Sequence, residues 1–293
     1  MSEIEKQETD KSFGYHKGSV ETVISVEDVN KQAEAIAKAV DVEKIAKLAN
    51  NKPFLKIDNL VAGYGKMEIL HGLNLQVAKG QSLCLIGPNG AGKSTILHSI
   101  FGFTKIFSGQ IISGDGDNPQ DVTRLSSSQK LKNAGIAYIL QDNSVFPDMS
   151  VEENLWMGGF LKDRPDAAKE AAEKVFQKYD RLAKRRSNPA RVLSGGERRL
   201  LEISRALVME PEVLLVDEPS IGLEPRFIDM VFEILDDLQN TEGKTILMVE
   251  QNAKKGLEFA DMGYVLVSGN LAMADTGDNL LANPDVGRLF LGG

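Results

Sequence analysis

The chain has 293 residues, enough to bury a sizeable core without covalent staples. Its net charge of −8 excludes a protein that holds nucleic acid through bulk positive charge. A single cysteine, Cys84, excludes an intrachain disulfide framework and a Cys-rich zinc site, and three histidines offer little for a His-based metal site.

The first residues lack the apolar core and small-residue cleavage site of a secretory signal. No run reaches 18 apolar residues, so no segment is expected to span a bilayer alone. The chain is expected in the cytoplasm, reaching a membrane only through a partner. Residues 1–53 read as an extension to a domain over 54–293. Up to residue 25 the extension is polar and reads as flexible. Over 26–48, Val29, Ile36, Val40 and Leu48 recur near helical spacing, with Ala33 and Ala37 between them and a Glu34–Lys38 pair on the polar face. This predicts one amphipathic helix, whose small-residue face suits docking on protein rather than on a membrane surface.

From residue 55 the pattern is denser. Stretches 55–61 and 73–77 alternate like strands and are joined through Gly63, Gly65 and Gly72. Ser82–Ile86 is a short continuous apolar run, suited to a buried parallel strand. Further strands are expected at 136–140, 213–216, 245–249 and 263–267, and helices at 94–101, 151–160, 166–185, 196–208, 226–239 and 253–260. This alternation predicts an α/β fold with a mostly parallel sheet. The block 151–209 holds three helices in succession and reads as a helical insert between two strands.

Gly87-Pro88-Asn89-Gly90-Ala91-Gly92-Lys93-Ser94-Thr95 fits G-x-x-x-x-G-K-[ST], and it follows an expected strand and opens an expected helix. Glycines let backbone N–H groups turn inward around phosphate oxygens, and the helix N-terminus adds partial positive charge. Lys93 supplies a cation to the β- and γ-phosphates, and Ser94 a hydroxyl to Mg²⁺. Val213-Leu214-Leu215-Val216-Asp217-Glu218 is an apolar strand ending in two carboxylates. Asp217 at its tip can hold Mg²⁺, and Glu218 can polarise the attacking water. Together the two elements indicate hydrolysis of a nucleoside triphosphate. Cys84 reads as a buried, inert thiol, and His71 and His98 show no partner pattern.

Leu193-Ser194-Gly195-Gly196-Glu197 precedes an amphipathic stretch over 198–209. With this signature the chain resembles the ATP-binding cassette (ABC) ATPases, over roughly 55–293. The resemblance implies a P-loop ABC cassette: a mostly parallel sheet core, an antiparallel β subdomain and a helical subdomain at about 142–209. It implies ATP and Mg²⁺ as ligands, with Ser94, Gln141 and Asp217 at the metal. It further implies that Ser194, Gly195 and Gly196 close on the γ-phosphate held by a second cassette, in a homo- or heterodimer. Tyr64 matches the aromatic residue that stacks on adenine. Gln141 matches the glutamine that senses the metal and the lytic water. The loop from Ser220 to Glu224 matches one that signals across the dimer. Many members place a histidine where Gln251 stands; Gln251 can still donate a hydrogen bond.

Gly63-Tyr64-Gly65-Lys66, Val145-Phe146-Pro147, Val151-Glu152-Glu153-Asn154-Leu155, the run from Asp217 to Leu223, Val249-Glu250-Gln251-Asn252-Ala253 and Leu281-Ala282-Asn283-Pro284 look like an ATP-binding subunit of branched-chain amino acid importers. That subfamily reads Pro-Glu-Gly-Arg near Gln141, where this chain has Leu140-Gln141-Asp142-Asn143. The resemblance implies membrane permease subunits, docked by a groove around Gln141, Phe146, Trp156 and Phe160. It also implies, indirectly, a substrate-binding protein, and a peripheral location on the cytoplasmic face of the inner membrane. A related ATPase for urea or amide import or lipid export is the nearest alternative. A soluble cassette acting in DNA repair or translation fits less well, because the chain has one phosphate loop, one signature and no long insert.

Overall fold

The computed structural model describes residues 40–115, 118–141 and 144–291. Helix α1 (Val42–Leu48) is capped by Asp41, whose carboxylate accepts from the Glu43 N–H. Strands β1 (Pro53–Tyr64) and β2 (Met67–Ala78) form an antiparallel hairpin that turns at Gly65. β3 (Ser82–Ile86) leads to α2 (Lys93–Phe101). β4 (Lys105–Ser113) and β5 (Gln120–Asp121) then rejoin the hairpin in a four-stranded antiparallel sheet of order β2-β1-β4-β5. Next come α3 (Ser127–Ala134) and β6 (Ile136–Ile139). A helical lobe follows: α4 (Val151–Gly158), α5 (Pro165–Lys178), α6 (Asp180–Ala183) and α7 (Gly195–Leu207). The chain closes with β7 (Val213–Asp217), α8 (Pro225–Asn240), β8 (Thr245–Val249), α9 (Ala253–Phe259), β9 (Met262–Val267), β10 (Asn270–Thr276), α10 (Gly277–Leu281) and α11 (Pro284–Phe290).

The second sheet has order β10-β9-β3-β8-β7-β6 and is parallel except for the β9–β10 pair. Every residue of β3, β7 and β8 is buried, as continuous apolar runs require when both sheet faces are covered. The side-chain alternation of β3 divides the interior. Leu83 and Leu85 join the core shared with the antiparallel sheet, whereas Cys84 and Ile86 join the core under α8 and α9. The helical lobe has its own core, including Val151, Leu155, Ala172, Leu200 and Leu201. This order places the C-terminal ends of β3, β8, β7 and β6 side by side, where ligands bind in open α/β sheets.

Several expectations need correction. A helix running unbroken over 26–48 is excluded, because Asp41 is extended (φ −65, ψ 128) and starts a new helix. Residues 26–39 of that expectation, and the flexible segment 1–25, lie outside the described residues. The boundary at 53 also moves. Ile45 is 1% exposed and sits in the core of the first sheet, with Val40 and Leu48 packed against it, so the folded unit includes α1. Lys44 pairs with Asp275 at 2.7 Å, and the Gln81 amide donates to the Leu48 carbonyl at 3.1 Å. The helix expected over 166–185 breaks at Tyr179 (φ −120, ψ 85). The expected strands and helices do not include β4, β5, β10, α3, α10 or α11. β4 turns at Gly109 (φ 90), which interrupts its alternation, and β10 is an edge strand whose pairing with β9 is irregular between Leu271 and Met273.

Lys130 on α3 is wholly buried, and its ammonium donates to the Ser99 carbonyl near the C-terminus of α2. Burial lowers its pKa from 10.5 to about 8, with the Asp121 carboxylate opposing. Between these two values the unfolded chain binds the extra proton, so stability rises with pH across that window. Lys130→Met is expected to flatten the rise, by about 1–2 kcal/mol between pH 8 and 10. It should be no less stable than the parent at pH 7. Urea unfolding at stepped pH checks both; an unchanged slope would count against a buried ammonium.

Candidate nucleotide site

Beyond Ile86 the chain turns through Gly87 (φ 145), Gly90 (φ 81) and Gly92 (φ 98). A Cβ on Gly87 would lie 2.2 Å from the Leu266 carbonyl oxygen, so only glycine fits. Gly92 caps α2 without any side-chain bond, which leaves the first-turn N–H groups available to an anion. Pro88 accepts from the Ala91 N–H, and Ala91 in turn accepts from Gly269, which ties the loop to the end of β9. Asn89 and Gly90 face outward, and Thr95 is buried. Lys93 is nearly buried and its Nζ donates to the carbonyls of Gly87 (2.8 Å) and Pro88 (3.0 Å). Burial lowers its pKa, while the charges of Glu218 and Asp217 favour the ammonium.

The tip of β7 lies across from the loop. Ser94 Oγ donates to Asp217 Oδ1 at 3.1 Å, and the Tyr138 hydroxyl donates to Asp217 Oδ2 at 2.7 Å. Burial and the Asp217 charge push the Tyr138 phenol well above its ordinary pKa, so it remains a donor. Glu218 has left-handed backbone (φ 44), a strained conformation for this residue type that is held by its N–H bond to the Val249 carbonyl at 2.8 Å. Burial and neighbouring Asp217 raise its pKa. Gln141, just past β6, donates through Nε2 to Glu218 Oε2 at 3.1 Å. The sequence-predicted Lys93, Ser94, Asp217, Glu218 and Gln141 therefore converge.

Hard oxygen donors, one carboxylate and one hydroxyl in hydrogen-bond contact, fit Mg²⁺, which takes one or two carboxylates plus substrate phosphates. Among the described residues there is no group of three or more His, Cys, Asp or Glu that could hold a metal ion.

Gln251 stands two residues beyond Val249, at the end of β8 beside the Glu218 anchor, with its side chain exposed. Tyr64 ends β1 and is 44% exposed. Ser194 crowns α7 in a capping box: its Oγ accepts from the Glu197 N–H, and the Glu197 carboxylate accepts from the Ser194 N–H. Gly195 is exposed and Gly196 is packed on Phe227. Among the described residues, no hydrogen bond joins these three to the loop from Gly87 to Thr95. The signature thus presents an anion-ready helix end that makes no hydrogen bond to its own phosphate loop. On the helical lobe, Phe146 and Phe160 (77% exposed) face outward, and Trp156 is half-buried.

Sequence reasoning missed four supports. Tyr138 holds Asp217, as above. Arg199 on α7 donates to the carbonyls of Leu140 (2.7 Å) and Asp217 (3.5 Å), and pairs with Glu202 at 2.8 Å in a buried contact. It thereby fixes the signature helix to the ends of β6 and β7. Glu250 Oε1 accepts from Ser220 Oγ (2.8 Å) and the Asn252 N–H (2.9 Å), joining the segment after Glu218 to the one carrying Gln251. His98 meets Tyr64. Only Arg199 left any trace, an i,i+3 pair with Glu202 that reads as an ordinary solvated contact. Cys84 is fully buried and burial raises its pKa, as an inert thiol requires.

A phosphate loop after a central parallel strand, two carboxylates at the tip of a strand one place removed from it, and a signature helix on a separate lobe define a P-loop nucleoside triphosphatase. Residues 70–221 match the family model described as ABC transporter. The branched-chain amino acid transport ATP-binding protein BraG of Pseudomonas aeruginosa is 42% identical over 239 residues, 82% of this chain and all of that protein. The probable branched-chain amino acid transport ATP-binding protein LivF of Archaeoglobus fulgidus is 38% identical, over 81% of this chain and 98% of its own. The solved nucleotide-free ATP-binding cassette of an ABC transporter superposes with a TM-score of 0.71 at 27% identity, covering 82% of this chain and all of that one. The chain belongs to the ABC transporter ATP-binding cassette family and is an ATPase. Among the described residues no helix is long and apolar enough to cross a membrane.

Proposed function

We infer that this chain is the ATP-hydrolysing subunit of an ABC importer for branched-chain or other hydrophobic amino acids. The convergence of Lys93, Ser94, Asp217, Glu218 and Gln141 carries the ATPase chemistry. The likeness to BraG and LivF supports the substrate class. The lipopolysaccharide export protein LptB of Haemophilus influenzae is also similar, at 30% identity, so the importer reading follows the stronger likeness.

The residues from Gly87 to Thr95 wrap the phosphates with backbone N–H groups, and Lys93 neutralises their charge. Ser94, Asp217 and Gln141 would hold Mg²⁺, which would supply charge neutralisation to the phosphates. Tyr64 carries the adenine. Glu218 takes the proton of the attacking water, with Gln141 orienting its carboxylate. Gln251 donates to the γ-phosphate. Ser194, Gly195 and Gly196 complete the site of a second cassette, so two chains enclose two ATP molecules. The exposed Phe146 and Phe160, with Trp156, receive a helix of the permease, which carries closure into the membrane.

The test is reconstitution of the chain with the membrane proteins that co-purify with it. Such vesicles are expected to accumulate labelled leucine as ATP is hydrolysed and a binding protein is supplied. Urea uptake or lipid extraction instead would replace the substrate assignment. ATP hydrolysis with no membrane partner at all would remove the transport role.

A further inference from the structure

Tyr64 stands at the end of β1, beside the turn into β2, where an exposed ring ordinarily swings freely. Here it does not. Its hydroxyl shares a hydrogen bond with His98 Nδ1, and the two rings meet edge-on, with centroids 6.1 Å apart at 82°. His98 sits on α2, four residues beyond Ser94. Its imidazole is itself held: Phe103 meets it edge-on at 5.7 Å, and Tyr138 lies tilted against it at 5.7 Å. Phe101 packs on both Phe103 and Tyr138, and the Tyr138 hydroxyl is bound to Asp217. Burial lowers the His98 pKa, which favours a neutral ring with one nitrogen free to accept.

A stacking platform works best when its ring is already ordered, because the ordering cost is then removed from the binding step. Tyr64 is fixed by its backbone at one end and by His98 at the other. We propose that His98 is a positioning residue for the base platform, holding the Tyr64 ring at the angle at which adenine stacks on it. The proposal rests on the reading of Tyr64 as the base-stacking residue. It adds a residue for which the sequence showed no partner, because 34 positions separate the two. The same cluster continues through Tyr138 to Asp217, so the platform is built on the group that also braces the carboxylate tip of β7.

The experiment compares affinities for ATP and for inorganic tripolyphosphate, which has no base, by calorimetry on the full chain with Mg²⁺. His98→Leu is expected to weaken ATP by about 3- to 10-fold, the loss of one hydrogen bond, and to leave tripolyphosphate unchanged. Tyr64→Phe removes the same bond from the exposed side and should reproduce this loss even if His98→Leu folds poorly. His98→Asn places an amide near the position of Nδ1 and should recover part of the ATP affinity. Equal losses for ATP and tripolyphosphate would mean a distorted phosphate loop and would overturn the proposal. Unchanged ATP affinity in both His98→Leu and Tyr64→Phe would overturn it as well, as would a His98→Asn variant no better than His98→Leu. Tyr64→Ala separates the two levels. Removing a base stack should cost about 5- to 150-fold in ATP affinity. If Tyr64→Ala costs nothing, the base-stacking reading itself fails. If it weakens ATP and His98→Leu does not, only the positioning role falls.

Discussion

Glu218→Gln is expected to slow ATP hydrolysis by about 10²–10⁴-fold while leaving ATP binding intact. The amide has the shape of the carboxylate, and its oxygen can still accept from Gln141 Nε2, now 3.1 Å from Glu218 Oε2. The left-handed backbone and its bond to the Val249 carbonyl do not involve the side chain. What is lost is the ability to take a proton. Burial and Asp217 raise the pKa of the native group, which makes it a stronger base than an exposed glutamate. With hydrolysis blocked and binding kept, the ATP-closed pair of cassettes should persist. Phosphate release and size-exclusion chromatography in ATP measure the two effects. A variant that stays monomeric in ATP and turns over at the parent rate would remove Glu218 from the chemistry.

Lys93→Ala should weaken ATP binding by about 10- to 150-fold, the value of one hydrogen bond to a charged group. Two losses combine here. The cation is gone, and so are the bonds from Nζ to the carbonyls of Gly87 and Pro88 that brace the loop. The thermal midpoint separates them: a braced loop matters to the apo protein, whereas a missing cation matters only with nucleotide. Fluorescent-nucleotide titration reads the affinity, and parent-like binding would count against the phosphate-loop assignment.

The parts of the site that were legible in the sequence are contiguous. The loop after β3, the carboxylates at the tip of β7 and the Ser194 cap of α7 each lie within a few residues, and local geometry fixes what each can do. The parallel core was legible for the same reason, as short apolar runs between amphipathic helices. The helix expected over 26–48 shows the limit. Periodicity continued through Asp41, but a cap residue in extended backbone restarts the helix there. Likewise, the sequence could not show that Ile45 belongs to the cassette core, because burial depends on what lies opposite.

By itself, then, the sequence determined the chemistry of each element: a phosphate cradle, a carboxylate pair and an anion-binding helix end. Only the tertiary structure decided how those elements are held. Tyr138 reaches Asp217 across 79 positions, Arg199 reaches the Leu140 carbonyl across 59, and His98 reaches Tyr64 across 34. None of these pairs follows a helical or strand period, so no pattern along the chain can signal it. The first two arise because the strand order β9-β3-β8-β7-β6 brings the ends of β6 and β7 together, and the third because β1 of the antiparallel sheet and α2 share one core; polar groups there find partners in space rather than in sequence.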